Sequence, residues 1–278
     1  MNYGGPDVAD LALTAEVCAA VRAVAAEEVM PRYRKVDPRR KADGSLLTEA
    51  DLAAQAALAG RLTALAPHPF VGEEMTAAEQ EAQWARGQDG LWCVDPIDGT
   101  SNFTRGVPYF ALSVALMRGG RSVLGVVYAP FFDEMFHAQF GRGAFLNGEA
   151  LRSDGPAPEL ASAMAHVDFK RVPKGVGAAL AARPPYCSHR SLGSATLEWC
   201  YLAAGRIDVY LHGGQKLWDY AAGSLILSEA GGRVTTLDDD EFWTGGPWTR
   251  SVVAARNPAL YDTWRRWLTE HDTPRHES

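Results

Sequence analysis

At 278 residues, with 47% hydrophobic and 22% charged side chains, the chain has the balance of a globular protein able to bury a substantial core. A net charge of -7 argues against nucleic acid as the main partner. An anionic substrate stays open, because a bound metal reverses the local sign. No run of about 18 apolar residues is present to span a membrane. The start lacks the basic-then-apolar pattern of a secretory leader, so the cytoplasm is the expected compartment. Cys18, Cys93, Cys187 and Cys200 are scattered without a C-x-x-C pair, which suits a reducing compartment and no structural zinc. Cys18 and Cys93 lie in apolar runs and read as buried thiols.

From Asp10 to Met30, the residues Leu13, Val17, Val21 and Val24 recur at helical spacing, and Pro31 follows. Residues 31–47 form a polar, basic connection with Lys35, Arg39, Arg40, Lys41 and Asp43. Thr48-Glu49-Ala50-Asp51 opens a second helix with Leu58, Leu62 and Leu65 on one face, and Pro67 ends it. Asp51 fits a capping box with Thr48, and a carboxylate on a first turn is also well placed to face a metal. Phe70-Val71 is a short strand running into Gly72-Glu73-Glu74, acids that are either solvated or part of a site.

The stretch Leu91-Trp92-Cys93-Val94-Asp95-Pro96-Ile97-Asp98-Gly99-Thr100-Ser101-Asn102-Phe103 organises the chain. It begins as a buried strand, and Pro96, with no N–H, turns it away. Two carboxylates on one turn, Asp95 and Asp98, repel unless a cation lies between them. Magnesium takes carboxylate and carbonyl oxygens, and the Ile97 carbonyl sits between the acids. Gly99 to Asn102 are small and polar, suited to turning N–H groups toward an anion. The stretch therefore reads as a metal-and-phosphate turn, against the plain turn that Asp-Pro and Asp-Gly also mark.

Phe110–Met117 and Val123–Tyr128 read as strands joined by Gly119-Gly120-Arg121, with a third at Glu134–Gln139. The glycines at 141, 143 and 148 have the wrong spacing for a dinucleotide fingerprint and mark hairpin turns. Residues 150–160 suggest a boundary between halves. Beyond it are a strand at Ala163–Val167, a helix near Val176–Ala182, a short strand at Tyr186-Cys187, a helix at Ser194–Ala204 and a strand at Ile207–Leu211. Trp218-Asp219 starts a helix ended by Gly231-Gly232; Arg233–Thr236 and Ser251–Ala255 are strands, and Pro258–Leu268 is a closing helix. The acidic run Asp238–Glu241 reads as a solvated loop.

Glu73, Asp95, Asp98 and Asp219 all fall at element ends. With Gly72-Glu73-Glu74, Asp95-Pro96-Ile97-Asp98-Gly99-Thr100 and Trp218-Asp219-Tyr220-Ala221-Ala222-Gly223 in order, the chain resembles the inositol monophosphatase family of magnesium-dependent, lithium-sensitive sugar phosphatases. Further matches are Thr48-Glu49-Ala50-Asp51, Gly143-Ala144-Phe145 with Asn147-Gly148, and Glu229-Ala230-Gly231-Gly232.

The resemblance implies an α/β fold, a layered αβαβα sandwich with metals between two halves of one compact unit. Residues 1–150 would be the half carrying the metal-binding acids, and residues 151–278 the half carrying Asp219 and substrate contacts. It further implies two or three Mg2+ ions. Glu73, Asp95 and the Ile97 carbonyl would hold the first and Asp95 with Asp98 the second, with Asp219 sharing that region. Glu73 would help activate the attacking water, which Thr100, supported by Asp51, orients. Gly99, Thr100 and Ser101 would cradle the phosphate, with Ala195 and Asp219 among the substrate contacts. A small phosphorylated substrate and a homodimer are expected on the same ground.

One position departs from the family's inositol enzymes, where an acid six places before the tryptophan of the Trp-Asp motif contacts substrate hydroxyls. Here that position is His212, either a surface histidine or a substrate contact. Lys216 either extends into solvent or pairs with a second phosphate or sulfate, and Arg190 is a candidate anion contact. Inositol monophosphate leads as substrate, followed by fructose bisphosphate and other sugar phosphates, then a 3′-phosphoadenosine nucleotide. Haloacid dehalogenase phosphatases also carry an Asp…Asp-Gly-Thr signature, but with one residue between the acids; here Pro96 and Ile97 intervene. A non-enzymatic binding or regulatory relative is the remaining alternative.

Overall fold

The computed structural model describes residues 9–41, 44–152 and 156–272, so Asp43 of the basic connection lies outside the described residues. Helix α1 (Ala9–Val24) sets Val17, Val21 and Val24 on one buried stripe. Past Val24 the helix widens into a π-turn over Ala25–Val29, with the Met30 N–H reaching the Ala25 carbonyl, and tightens over Met30–Arg32. The expected helix to Met30 is thus α-helical only to Val24; Pro31, which has no N–H to donate, follows directly. The basic connection holds a small antiparallel pair, β1 (Arg39–Arg40) and β2 (Leu46–Leu47). Helix α2 (Glu49–Leu65) carries the expected capping box, and its Ala50, Ala54, Leu58 and Leu62 meet the α1 stripe.

Strand β3 (Phe70–Gly72) leads to α3 (Ala77–Arg86), a helix absent from the sequence reading although Thr76 and Glu79 form its capping box. Strand β4 (Leu91–Asp98) does not leave the sheet at Pro96 as expected but runs through it to Asp98 with a pairing irregularity, and only Thr100–Asn102 of the expected turn belong to a short helix, α4 (Thr100–Arg105). Strands β5 (Ala111–Arg118), β6 (Arg121–Ala129) and β7 (Glu134–Gln139) follow as expected. A further hairpin, β8 (Ala144–Leu146) and β9 (Glu149–Leu151), turns at Asn147-Gly148. These strands form a seven-stranded sheet in chain order from β3 to β9, parallel only between β3 and β4.

The second sheet begins with β10 (Met164–Asp168), followed by α5 (Lys174–Ala182) and β11 (Ser188–Arg190), two residues beyond the expected Tyr186-Cys187. Helix α6 (Ala195–Ala203) precedes β12 (Val209–Lys216), which runs five residues past the expected Leu211 because it continues through an irregularity at 213–214. Helix α7 (Leu217–Glu229), β13 (Arg233–Thr235), β14 (Thr249–Ala255) and α8 (Pro258–His271) complete the chain. The strand order is β11-β10-β12-β14-β13, with β10 parallel to both β11 and β12.

Side-chain alternation explains the layers. On β4, Trp92 and Val94 face the α1–α2 side while Leu91 and Cys93 face α6 and α7. Buried on both faces, the strand reads as a continuous apolar run. Helix α7 is apolar almost all round because it lies between the two sheets, touching β5 and β6 on one side and Tyr210, Val252 and Ala254 on the other. Val167, Leu211 and Val253 on the far face of the second sheet pack on α5 and α8. The result is the αβαβα sandwich expected from the sequence. Cys93 and Cys200 are buried and Cys187 exposed; Cys18, expected buried, is only partly so. Among the described residues, no helix is long and apolar enough to cross a membrane.

Candidate metal and phosphate centre

Two elements deliver three acids to one place, and Glu73, outside that group, stands beside the same strand. Strand β4 carries Asp95, 1% exposed, and ends on Asp98; an irregularity in the β4–β5 pairing between them lets both point to the same side. The Asp95 Oδ1 accepts the Ile97 N–H at 3.1 Å. Asp219, on the first turn of α7, accepts the Lys216 N–H at 2.9 Å. One carboxylate oxygen from each of Asp95, Asp98 and Asp219 lies within 4.8 Å of the other two. Glu73 follows β3, where its N–H donates to the Val94 carbonyl at 3.1 Å and holds it beside the same strand.

Burial raises the pKa of Asp95 well above the usual carboxylate range, and Glu73, Asp98, Asp219 and Asp51 add to it. Burial likewise raises Asp219, reinforced by Asp98 and Glu73. The donor set is all hard oxygen, the cluster is crowded with like charge, and a divalent cation would reverse that repulsion. The residues fit such an ion.

Asp98 is anchored from the other half of the chain. Its Oδ2 accepts the Ser194 hydroxyl at 2.6 Å and both the Thr196 N–H and hydroxyl at 2.7 Å. Burial raises its pKa, while these bonds and the Ala195 N–H oppose the rise. Ala195 therefore meets Asp98 through its backbone. Asn102 ties the same halves, donating to Tyr109 and Leu192 carbonyls at 2.7 and 2.8 Å.

Gly99 adopts φ +92°, and a Cβ there would sit 3.0 Å from the Tyr109 carbonyl, so glycine is required to start α4 at this point. Thr100 and the exposed Ser101 open that helix. The Thr100 hydroxyl lies 3.1 Å from the Ile97 carbonyl and 3.4 Å from the Asp51 Oδ1. Asp51 is fully buried and also accepts the Thr48 N–H and hydroxyl at 2.7 and 2.5 Å, so capping and facing Thr100 coexist.

Lys41, unassigned from sequence, bridges Glu73 at 2.8 Å and Glu74 at 2.7 Å. Burial pushes its pKa down, but the two glutamates outweigh that and leave it above the usual lysine range. Glu74 is pushed up to about 7, by burial first and Glu73 second.

The outlying candidates fall differently. His212 is no surface residue: it is 5% exposed, with Nε2 2.9 Å from Asp168 and Nδ1 accepting the Gly214 N–H at 3.1 Å. Both ring nitrogens are occupied by these partners. The exposed Arg190 folds back on its own strand, donating to the His189 carbonyl at 2.8 Å. Lys216 caps α7 through its backbone while its side chain is exposed. Sequence reasoning missed Ser194, Thr196 and Lys41, whose partners lie 30 to 100 residues away and leave no local signal.

Comparison with known proteins follows the same lines. Residues 10–271 match the Inositol monophosphatase family. The chain is 35% identical over 249 residues to inositol monophosphatase 2 of Solanum lycopersicum, covering 86% of this chain and 91% of that protein. It is 36% identical over 223 residues to a fructose-1,6-bisphosphatase/inositol-1-monophosphatase of Thermotoga maritima, covering 77% and 80%. The solved Thermotoga maritima IMPase superposes with a TM-score of 0.77 at 30% identity, over 91% of this chain and 95% of that one.

Proposed function

The chain belongs to the inositol monophosphatase family, and on that premise we propose that it hydrolyses small phosphate monoesters with magnesium, inositol monophosphate first among them. The observation that carries this reading is the convergence of Asp95, Asp98 and Asp219 oxygens, from β4 and α7, within 4.8 Å of one another. Glu73, Asp95 and the Ile97 carbonyl would hold one ion, and Asp95, Asp98 and Asp219 a second, with room in the acid set for a third. Bound there, the ions supply an acidified water as nucleophile and a counter-charge for the leaving oxygen.

The protein's own groups do the positioning. The Thr100 hydroxyl, between the Ile97 carbonyl and Asp51, orients the water, and Glu73 accepts its proton. Backbone N–H groups at the start of α4, from Gly99 to Ser101, face the phosphoryl oxygens, since a helix's first N–H groups have no partner within it. Ser194, Thr196 and Ala195 fix Asp98 so that it need not reorganise during reaction. Residues 1–150 act as the half bearing the acids and 151–278 as the half bearing Asp219 and the leaving-group side.

The test is phosphate release from inositol 1-phosphate, with Mg2+ and with EDTA. Magnesium-dependent turnover is expected; none from inositol 1-phosphate or any sugar phosphate overturns the reading. Fructose 1,6-bisphosphate belongs in the panel as the second reading, favoured by the double name of the Thermotoga maritima relative. Lithium inhibition, a homodimer and a cytoplasmic location extend the same family reading and are checked by inhibition assay, gel filtration and fractionation.

A further inference from the structure

Asp98, the last residue of β4, also caps a helix from the other half of the chain. Ser194 stands at the N-cap of α6, yet its hydroxyl makes no cap bond there and donates to Asp98 instead. The N–H groups left open at the start of α6 fall to the same carboxylate: Oδ2 accepts the Thr196 N–H at 2.7 Å, and the Ala195 N–H bonds to it as well. The positive end of the helix favours the negative charge held against it. Where α6 sits therefore decides where a proposed metal ligand sits.

Glu198, buried on the first turn of α6, ties that helix to the second sheet. Its N–H donates to the Ser194 carbonyl at 3.0 Å and its Oε1 accepts the Gly193 N–H at 3.4 Å, so it holds the turn that enters the helix. Oε2 accepts the Tyr210 hydroxyl of β12 at 2.8 Å, and His166 Nδ1 of β10 lies 3.2 Å from Oε1. One residue on, the Trp199 Nε1–H donates to Gln215 Oε1 at 2.9 Å, and the Gln215 amide donates in turn to the Tyr210 hydroxyl. Trp199, Tyr210 and Gln215 are fully buried. Burial pushes Glu198 up to about 8 and holds His166 down to about 3, so near pH 7 both are uncharged. With Oε2 accepting from Tyr210, the carboxyl proton belongs on Oε1, where Nδ1 accepts it. His166 Nε2 is buried without a partner, which leaves Glu198 as the ring's one hydrogen-bond partner among the described residues. A buried polar network of this kind permits little sliding, because a shift strands donors and acceptors away from water.

We propose that Glu198, with Tyr210 and His166, is a positioning residue for Asp98: by fixing α6 against β10 and β12 it fixes the N–H groups that hold this carboxylate, and so tightens the binding of the ion Asp98 takes. This rests on the phosphatase reading above and makes the second half of the chain a determinant of metal affinity in the first.

The experiment titrates the EDTA-stripped full chain with Mn2+ at pH 7 in a calorimeter, at a temperature where circular dichroism shows each variant folded. Glu198→Ala is expected to raise the Kd of at least one ion about 10-fold, the low end of the range for groups that orient metal ligands. Glu198→Gln, which can still accept from Tyr210 and donate to His166 Nδ1, is expected to stay within about twofold of wild type, and Tyr210→Phe to raise the same Kd about threefold. A merely structural role would lower Tm and leave every Kd in place, so a folded Glu198→Ala that binds as wild type does overturns the proposal. So does a Glu198→Gln that loses as much affinity as Glu198→Ala. If Glu198→Ala does not fold, Tyr210→Phe decides, and an unmoved Kd there overturns it. Wild-type protein that takes up no ion overturns the phosphatase reading together with this one, whereas normal wild-type uptake with unmoved variants overturns this one alone.

Discussion

Replacing Asp95 by asparagine separates the fold from the charge it carries. The change is nearly isosteric, and an asparagine Oδ1 can still accept the Ile97 N–H that Asp95 accepts at 3.1 Å. What disappears is a negative charge, 1% exposed, facing Glu73, Asp98, Asp219 and Asp51. Without metal, that charge opposes folding. Its folded pKa is raised, so its favourable contribution is fully present below the usual aspartate range and is lost as pH rises through the raised value. The metal-free variant should therefore melt no lower than metal-free wild type at neutral pH and show a flatter pH profile.

With metal the order reverses. An ion at 100 times its Kd adds about 2.7 kcal/mol. At about 2–4 °C per kcal/mol for a chain of roughly this size, wild-type Tm should rise ~5–10 °C on Mg2+ addition. The variant, lacking the acid shared by both ion positions, should rise by no more than ~1 °C. Scanning calorimetry with Mg2+ and with EDTA measures both. A variant that keeps the full magnesium shift, or one that melts well below wild type in EDTA, refutes the reasoning.

Other consequences are equally direct. Thr100→Val, which removes the hydroxyl between Ile97 and Asp51, should cut kcat about 100-fold with Tm nearly unchanged; a kcat within about threefold of wild type in steady-state assay would remove Thr100 from the mechanism. Glu198, buried on α6, is pushed up to about 8 by burial first and by Asp98. Its contribution is present below pH 4.5 and lost as pH rises through about 8, on the order of 5 kcal/mol at most. Glu198→Gln should flatten the urea-denaturation profile across that window, and an unchanged slope would contradict the assignment. Gly213→Ala, with a Cβ 1.5 Å from the Arg171 carbonyl, should lose about 1–3 kcal/mol or more in the same denaturation experiment. A neutral result would mean the 169–171 turn yields freely.

The parts legible in the sequence were those coded locally. Val17, Val21 and Val24 declared a helical stripe, Thr48 and Asp51 a cap, and the run from Leu91 a two-faced strand. Asp98 and Asp219 lie at the end of a strand and on the first turn of a helix, as expected, whereas Asp95, expected at a strand end, lies inside β4 and reaches the same place through the pairing irregularity after it. The short helix α4 was hidden because Gly99 to Asn102 carry the residues of a turn, and only the fold around Tyr109 and Gly193 shows that Gly99 starts a helix. Helix α3 was missed although Thr76 and Glu79 spell its cap, because Trp84 is the one large apolar side chain in its body.

The pairing of Asp168 with His212 depends on register between two strands 44 residues apart, which no window of sequence contains. The same holds for Ser194 and Thr196 on Asp98, brought in from the far half of the chain. Such contacts follow from topology, and topology is set by how the helices α6 and α7 seat between two sheets rather than by any one motif.

The most direct measurement is anomalous diffraction from crystals soaked in Mn2+, a stand-in for magnesium with the same preference for oxygen ligands. The account predicts peaks bounded by Asp95, Asp98, Asp219 and Glu73, beside the start of α4. Peaks confined to other acids, or none at this cluster with the ion in excess, would contradict it.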